Sequence, residues 1–564
     1  MKRCPKCGRE YDSSMMFCLD DGAELLYGPA TADEPATALL TADQISTEQA
    51  TRSFGYVPTT SETSFHSQQP AASRKNSIIA GLIGMIAVTA LGVGGYFYYG
   101  RGSANQISSI AVMPFVNESS SADVEYLSDG MSETLIKSLA NLPEMDVKPR
   151  SAVFRYKGKD IDLPTIGKEL NVQVILNGRV IQRGELLTLS LELVDVQKNR
   201  VIWTEQYQRR QADVVSLQSE IAKDVSAKLS PRLSGTDEAK VSKQATTDPV
   251  AYQAYLRGRY YWNKRTGEDM FKAIEQFQIA ADRDKNYALA FTGLADSYSL
   301  LPSYSSDAPA DSLSQAEKYA GQAIAIDGQL AEPHATLGNI YLTKWLWTEA
   351  ESEFKRALEL NPNYATAYHW YSVLLFSLGR NEEGAAKITR AHELDPMSNI
   401  IGQNYAQMLR MKGDHKGAIE VCQKIIDLDP NFPGGHFAIA WSYLKTGRND
   451  EAIAEFQKAA ELNGRQSSSL GELGAALAVS GRTKEAQVLI KELEERYGQG
   501  KTTGDNLASI YAALGDKDKA FEWLAKDIAS RNGDLPQFRW SNLSEPLRDD
   551  PRFKDFLKRM GMPE

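Results

Sequence analysis

Cys4, Cys7, Cys18 and Asp21 stand in the spacing C-x2-C-x10-C-x2-D. Two paired-ligand knuckles about ten residues apart suit a tetrahedral zinc ion held by soft thiolates. A segment of residues 1–25 is too short to build a sufficient apolar core, so bound metal would supply its folding energy. Aspartate is the rarer structural ligand, and Asp21 stands where a fourth cysteine is expected. Zinc at Cys4, Cys7, Cys18 and Asp21 is the one cofactor expected of this chain.

No other constellation carries chemistry. There is no G-x4-G-K-[ST], no H-E-x-x-H and no kinase set of Gly-rich loop and metal-binding Asp. Gly92-x-Gly94-Gly95 lies within an apolar run and cannot cradle a phosphate. Five of the six histidines are spread through the carboxy-terminal half without a shared partner motif. Cys422 has no electropositive neighbour in sequence, and a buried free cysteine behaves as a small hydrophobe. The expectation is a protein without catalytic residues. A net charge of −10 with mixed signs argues against a general nucleic-acid binder.

The dominant organising feature is a repeat. Ala316, Ala350, Gly384, Ala418, Ala452, Ala486 and Ala520 are spaced by 34 residues, as are Pro362, Pro396 and Pro430. Tyr341, Leu375, Leu409, Tyr443, Leu477 and Tyr511 each precede their small residue by nine. This is a two-helix unit. The bulky residue lies on the first helix, the small one lets the second helix approach, and proline closes the unit. The unit 331–364, with Leu337, Gly338, Tyr341, Ala350, Phe354, Ala357 and Pro362, closely resembles the tetratricopeptide repeat. Two further units, with Gly258, Tyr261, Ala273 and Phe277, then Phe291, Leu294, Tyr298 and Ala316, have longer inner loops. Eight units are expected over 249–530, and 531–564 reads as a capping helix region.

In that family the first helix of each unit lines a concave groove. Carried over, the groove positions hold Asn339, His369, Phe376, Gln403, Gln407, Arg410, Phe437, Trp441 and Lys445. Aromatic and arginine anchors with amide donors suit peptide capture. One column that carries Lys or Arg in carboxylate-clamp members holds Ala335, His369 and Gln403 here, so a clamp of that kind is not expected.

Other segments complete the organisation. Residues 1–25 resemble the short zinc ribbons that begin many bacterial membrane proteins. Residues 26–75, rich in Ser, Thr and Pro, read as a disordered tether. Ile78–Tyr99 is uncharged and, at about 33 Å as a helix, long enough to cross a bilayer, so 77–100 is expected to be a transmembrane helix. Arg74-Lys75 before it, against a lone Arg101 after it, place the amino terminus in the cytoplasm and the later domains outside. Ala80-x3-Gly84 is compatible with a homodimer in the membrane. Residues 107–230 alternate strands and helices, with Leu187, Leu189, Leu191 and Leu193 in strict alternation. The strings IAVMPFVN and ILNGRVIQRGELLTLSLELVDVQKNRVIWTEQY resemble the FlgO-like/TolB-amino-terminal-like α/β domain of bacterial membrane proteins. Residues 231–248 read as a linker.

The expected fold is multidomain: a zinc ribbon, one transmembrane helix, an α/β domain and an all-α solenoid of about eight units. The expected function is a single-pass inner-membrane scaffold that binds protein or peptide partners outside the cytoplasm. The rival is a membrane-tethered transcriptional or signalling regulator whose ribbon contacts DNA or protein.

Overall fold

The computed structural model describes residues 2–3, 10–11, 107–119, 121, 124–142, 145–230, 234–305 and 307–563. The chain divides into two compact units, Met1–Gly94 and Gly95–Glu564. In the first, β1 (Lys2–Arg3) pairs antiparallel with β2 (Glu10–Tyr11), Lys2 opposite Tyr11 and Arg3 opposite Glu10. The residues expected to hold zinc, the tether 26–75 and the membrane helix 77–100 lie outside the described residues. Among the described residues no helix is long and apolar enough to cross a membrane.

The second unit opens with an α/β domain. Its strands are β3 (Ser109–Val112), β4 (Val116–Asn117), β5 (Asp146–Val147), β6 (Val174–Arg183), β7 (Leu186–Asp195) and β8 (Arg200–Arg210). They form one sheet in the order β5-β3-β6-β7-β8, with β4 also on β6. β3 runs parallel to β5 and β6, whereas β6, β7 and β8 form an antiparallel meander. The helices are α1 (Glu125–Leu139), α2 (Arg150–Phe154), α3 (Leu163–Leu170), α4 (Val214–Leu229) and α5 (Gly235–Val241).

Alternation dictates the core. Leu187, Leu189, Leu191 and Leu193 are buried together with Leu127, Met131, Leu135, Leu217, Ile221 and Val225 of α1 and α4. Gly178 of β6 is glycine because a Cβ there would sit 2.5 Å from the Phe115 ring. Asp162 caps α3 by accepting the Thr165 N–H at 2.8 Å, with Pro164 in the first turn. The segment expected as a linker instead carries α5. Ser234 caps that helix, Val241 is buried beneath it and Glu238 pairs with Lys223 of α4.

Eight helical hairpins follow, from Pro249–Trp262 to Lys517–Ser530. Six of the seven small residues in the 34-residue column are alanines with no exposure at all. Gly338 lies under Phe354, where a Cβ would come within 2.7 Å of the ring. The inner turns carry a second column at the same period. Gly379, Gly413, Gly447, Gly481 and Gly515 have φ between 76° and 84°, the left-handed region that glycine enters without steric cost. In the third hairpin that place is taken by Trp345, at φ 63°.

The carboxy-terminal segment does more than cap. Phe553, Phe556 and Leu557 of the helix Pro551–Arg559 pack with Leu524 of the last hairpin, as a cap requires. The same core receives Trp345 and Trp347 from the third hairpin, and the Trp347 indole N–H donates to the Met560 carbonyl at 3.1 Å. The segment therefore spans from the end of the array back to its third and fourth hairpins.

Candidate functional site

Residues of the first helices, Asn339, His369 and Gln403 among them, share one concave space with the turns between hairpins and with the α/β domain. Helix α1 packs on Pro249–Trp262, where Gly130 lets Leu256 approach; a Cβ there would sit 2.8 Å from that side chain. Arg257 lies over the Tyr126 ring at 4.5 Å. Helix α2 touches a second place. The Ser151 hydroxyl donates to Asp395 at 2.6 Å, and Arg155 reaches the Met397 sulfur at 3.0 Å, at the turn between the fourth and fifth hairpins. These two anchorages flank an open-sided chamber of about 3600 Å³, bounded by α1, α2, the first helices, the turns between hairpins and residues 532–534 and 537.

At the α/β wall of the chamber a buried carboxylate organises three cations. Glu133 receives Arg259 Nη2 at 2.5 Å, Arg150 Nε at 3.1 Å and the Asn263 amide at 2.9 Å, with Lys137 Nζ at 4.0 Å. Burial opposes its ionisation, but Arg259, Arg150 and Lys137 outweigh burial and pull the carboxyl down to about 2. Nearby Asp296 is buried and accepts the Thr336 hydroxyl at 2.5 Å, and burial raises its pKa. No local sequence signal marks this cluster, because its members come from α1, α2 and the first hairpin.

The nine groove residues divide into three sets. Asn339, His369 and Gln403 line the chamber. His369 is buried, its Nε2 lies 2.6 Å from the Asn404 amide nitrogen, and burial holds its pKa at about 4. It is neutral at pH 7.

Phe376 and Gln407 are covered by the chain's own carboxy-terminal segment, which also pairs with the exposed Lys445. Trp540 stacks on Phe376 with ring centroids 5.1 Å apart. The Gln407 amide donates to the Trp540 carbonyl at 3.3 Å, Lys445 pairs with Glu545, and Arg539 donates to the Ser377 carbonyl at 3.5 Å.

Arg410, Phe437 and Trp441 turn into the stack. Arg410 is buried and donates to the Ala438 carbonyl at 3.0 Å. Trp441 is 8% exposed, meets Phe456 edge-on at 5.3 Å and donates to Glu472 at 2.9 Å. Phe437 leans on the same Phe456 ring at 6.1 Å. The expectation of an open groove along all nine positions is thus corrected for His369, Phe376, Arg410 and Trp441, each of which is buried. His369 and Phe376, like Gln403, Gln407 and Arg410, lie on one face of their helix; position along the axis separates them, the later residues meeting the next hairpin or the returning segment.

Cys422 is fully buried, and burial raises its thiol to about 11, above the range of an activated nucleophile.

Comparisons with known proteins bear on both parts of this unit. Two family models described as tetratricopeptide repeat match residues 336–399 and 409–477. The chain carries tetratricopeptide repeats. A third model, described as the HilA/YgeH-like transcriptional regulator, second domain, matches residues 105–224. That differs from the FlgO/TolB resemblance drawn from the sequence.

A Rhizobium meliloti (strain 1021) protein named "Putative adenylate cyclase 3" is 29% identical over 232 residues, 41% of this chain and 39% of the relative. Anaphase-promoting complex subunit 3 of Schizosaccharomyces pombe (strain 972 / ATCC 24843) is 20% identical over 26% of this chain and 22% of its own length. The chain therefore spans about two fifths and one fifth of these relatives. Among solved structures, Pseudomonas aeruginosa PilF is similar at 22% identity and TM-score 0.31, over 38% of this chain and 94% of its own. Human IFIT1 is similar at 13% identity and TM-score 0.37, over 56% and 78%. Both TM-scores lie below 0.5, and nothing is concluded from either likeness.

Proposed function

We propose that this chain is a non-enzymatic scaffold that holds an extended segment of a protein partner in the chamber between the α/β domain and the tetratricopeptide array. Tetratricopeptide repeats are protein-interaction scaffolds, and the observation that carries the finer reading is the division of the concave face. The carboxy-terminal segment covers Phe376 and Gln407 and pairs with Lys445, while Asn339, His369 and Gln403 line the chamber. The amide side chains of Asn339 and Gln403 each offer two donors and an acceptor to a peptide backbone. A photo-crosslinking residue at Gln403 is expected to trap a partner in cells. The same residue at Val488, which is 64% exposed, is expected to trap none. Equal labelling from both sites, or none from Gln403, overturns the reading.

The proposal includes the amino-terminal part as an anchor. Ile78–Tyr99 crosses the inner membrane with the basic flank Arg74-Lys75 inside, leaving the array outside the cytoplasm. Cys4, Cys7, Cys18 and Asp21 hold a structural zinc ion. The antiparallel pairing of Lys2–Arg3 with Glu10–Tyr11 supports a knuckle, since Cys4 and Cys7 both fall in the connection between those strands. A periplasm-dependent reporter fused after Glu564 is expected to be active; activity only from a cytoplasmic reporter there reverses the orientation. The match of residues 105–224 to a transcriptional-regulator domain favours a second reading, a membrane-tethered regulator. Loss of partner capture on deleting residues 1–25 supports that second reading over the first.

A further inference from the structure

Strand β8 is the outer strand of the six-stranded sheet, and among the described residues no strand pairs along its other side. It is 11 residues long. Thr204, Glu205, Gln206 and Gln208 are exposed, as are the apolar Val201 (49%) and Ile202 (38%). A long open edge is a template for another strand.

The pairing of β8 with β7 decides which residues the edge offers. The Gln211 N–H donates to the Glu185 carbonyl at 2.8 Å, in line with the pairs Arg209–Leu187, Tyr207–Leu189 and Glu205–Leu191. Hydrogen-bonded and non-hydrogen-bonded pairs alternate along antiparallel strands. Odd-numbered residues from Trp203 to Arg209 therefore turn their backbone groups towards β7. Thr204, Gln206, Gln208 and Arg210 turn theirs outward. The odd side chains share the helix-covered face, where Tyr207 bonds Asp224 and Arg209 bonds Glu220, both on α4.

We propose that β8 pairs antiparallel with β8 of a second copy of this chain, Gln206 opposite Gln208 and Thr204 opposite Arg210, joining the two sheets. Outward groups can bond only outward groups, so even residues must face even residues. Within that constraint charge selects the register. A pairing centred on Glu205 sets two carboxylates against each other, and one centred on Arg209 sets two guanidiniums together; like charges directly opposite are destabilising. A pairing centred on Gln206 sets Glu205 against Tyr207 and forms no ion pair between opposite residues. The pairing centred on Tyr207 places Glu205 of each copy opposite Arg209 of the other, twice by symmetry. This contact uses the α/β domain and leaves the chamber free, so it is independent of partner capture.

Sedimentation equilibrium of the full chain in detergent is the test. The wild type is expected to dimerise with concentration. Gln206→Pro removes an outward N–H without touching the β7 ladder, so it should weaken the dimer at least tenfold with an unchanged far-UV spectrum. Glu205→Arg should weaken it similarly, and adding Arg209→Glu together with Glu220→Arg, which keeps the pair between β8 and α4, should restore it. A wild type that stays monomeric at all concentrations overturns the proposal. So do variants that dimerise as tightly as the wild type, which would place the contact on another surface. Should Gln206→Pro misfold, the charge reversal and its rescue decide the matter alone.

Discussion

The Trp540 indole stacks on the Phe376 ring, joining the carboxy-terminal segment to the fourth hairpin with ring centroids 5.1 Å apart. Both side chains are buried. Truncating a buried tryptophan removes its transfer energy and leaves a cavity. Trp540→Ala should therefore lower stability by about 3–5 kcal/mol, read from chemical denaturation. By contrast Glu545→Ala, at the exposed pair with Lys445, should cost less than about 1 kcal/mol. Similar losses from the two variants would mean that the segment is held by charge rather than by the stack.

Trp441→Ala separates the two views of the concave face. Were Trp441 an open groove anchor, its loss would spare folding. Its contact with Phe456 and its bond to the Glu472 carboxylate make it part of the stack, so the variant should lose about 3 kcal/mol. Ala350→Leu overpacks a site with no exposure and should cost about 1–3 kcal/mol. A Trp441→Ala protein with an unchanged melting temperature would return that residue to the groove.

The Glu133 cluster gives the junction an acid limit. Its carboxyl is held near 2 in the folded chain against an ordinary value of 4.5. A depressed carboxylate stabilises fully above its unfolded value, and that stability drains away as pH falls from about 4.5 towards 2. Glu133→Gln leaves Arg150, Arg259 and Lys137 uncompensated and should cost about 3–5 kcal/mol at pH 7. Hydrogen exchange at the α1 interface with the first hairpin would report it.

His369 acts over a higher range. Burial lowers its pKa from 6.5 to about 4, so the unfolded chain binds more protons between these values. Stability is complete above about 6.5 and falls as pH drops to about 4, by on the order of 3 kcal/mol. In His369→Gln this part of the pH dependence should vanish; an unaltered slope between pH 6.5 and 4 would show that other groups carry it.

Zinc content tests the amino-terminal motif directly. Freshly purified, reduced full chain should carry one zinc ion, and Cys18→Ser should lose it. Equal metal content in the two would remove Cys18 from the ligand set.

What the sequence determined by itself is whatever depends on local period. The 34-residue column defined the hairpins because each unit repeats the same contact between a small residue and its neighbours, as Gly384 does against Phe376. The alternation of Leu187 to Leu193 defined the buried face of β7 because side chains switch faces at every residue. The inner-turn glycines of the last five hairpins were equally legible at the same period, and Trp345 takes the same place in the third. Only the tertiary structure decided which concave positions stay open. Trp540 reaches Phe376 and Ser151 reaches Asp395 because the stack curves, and Glu133 gathers Arg150 and Arg259 because α1 packs on the first hairpin. Curvature sums small rotations between hairpins. It brings together residues whose separation along the chain has no period, and pattern alone holds no record of such contacts.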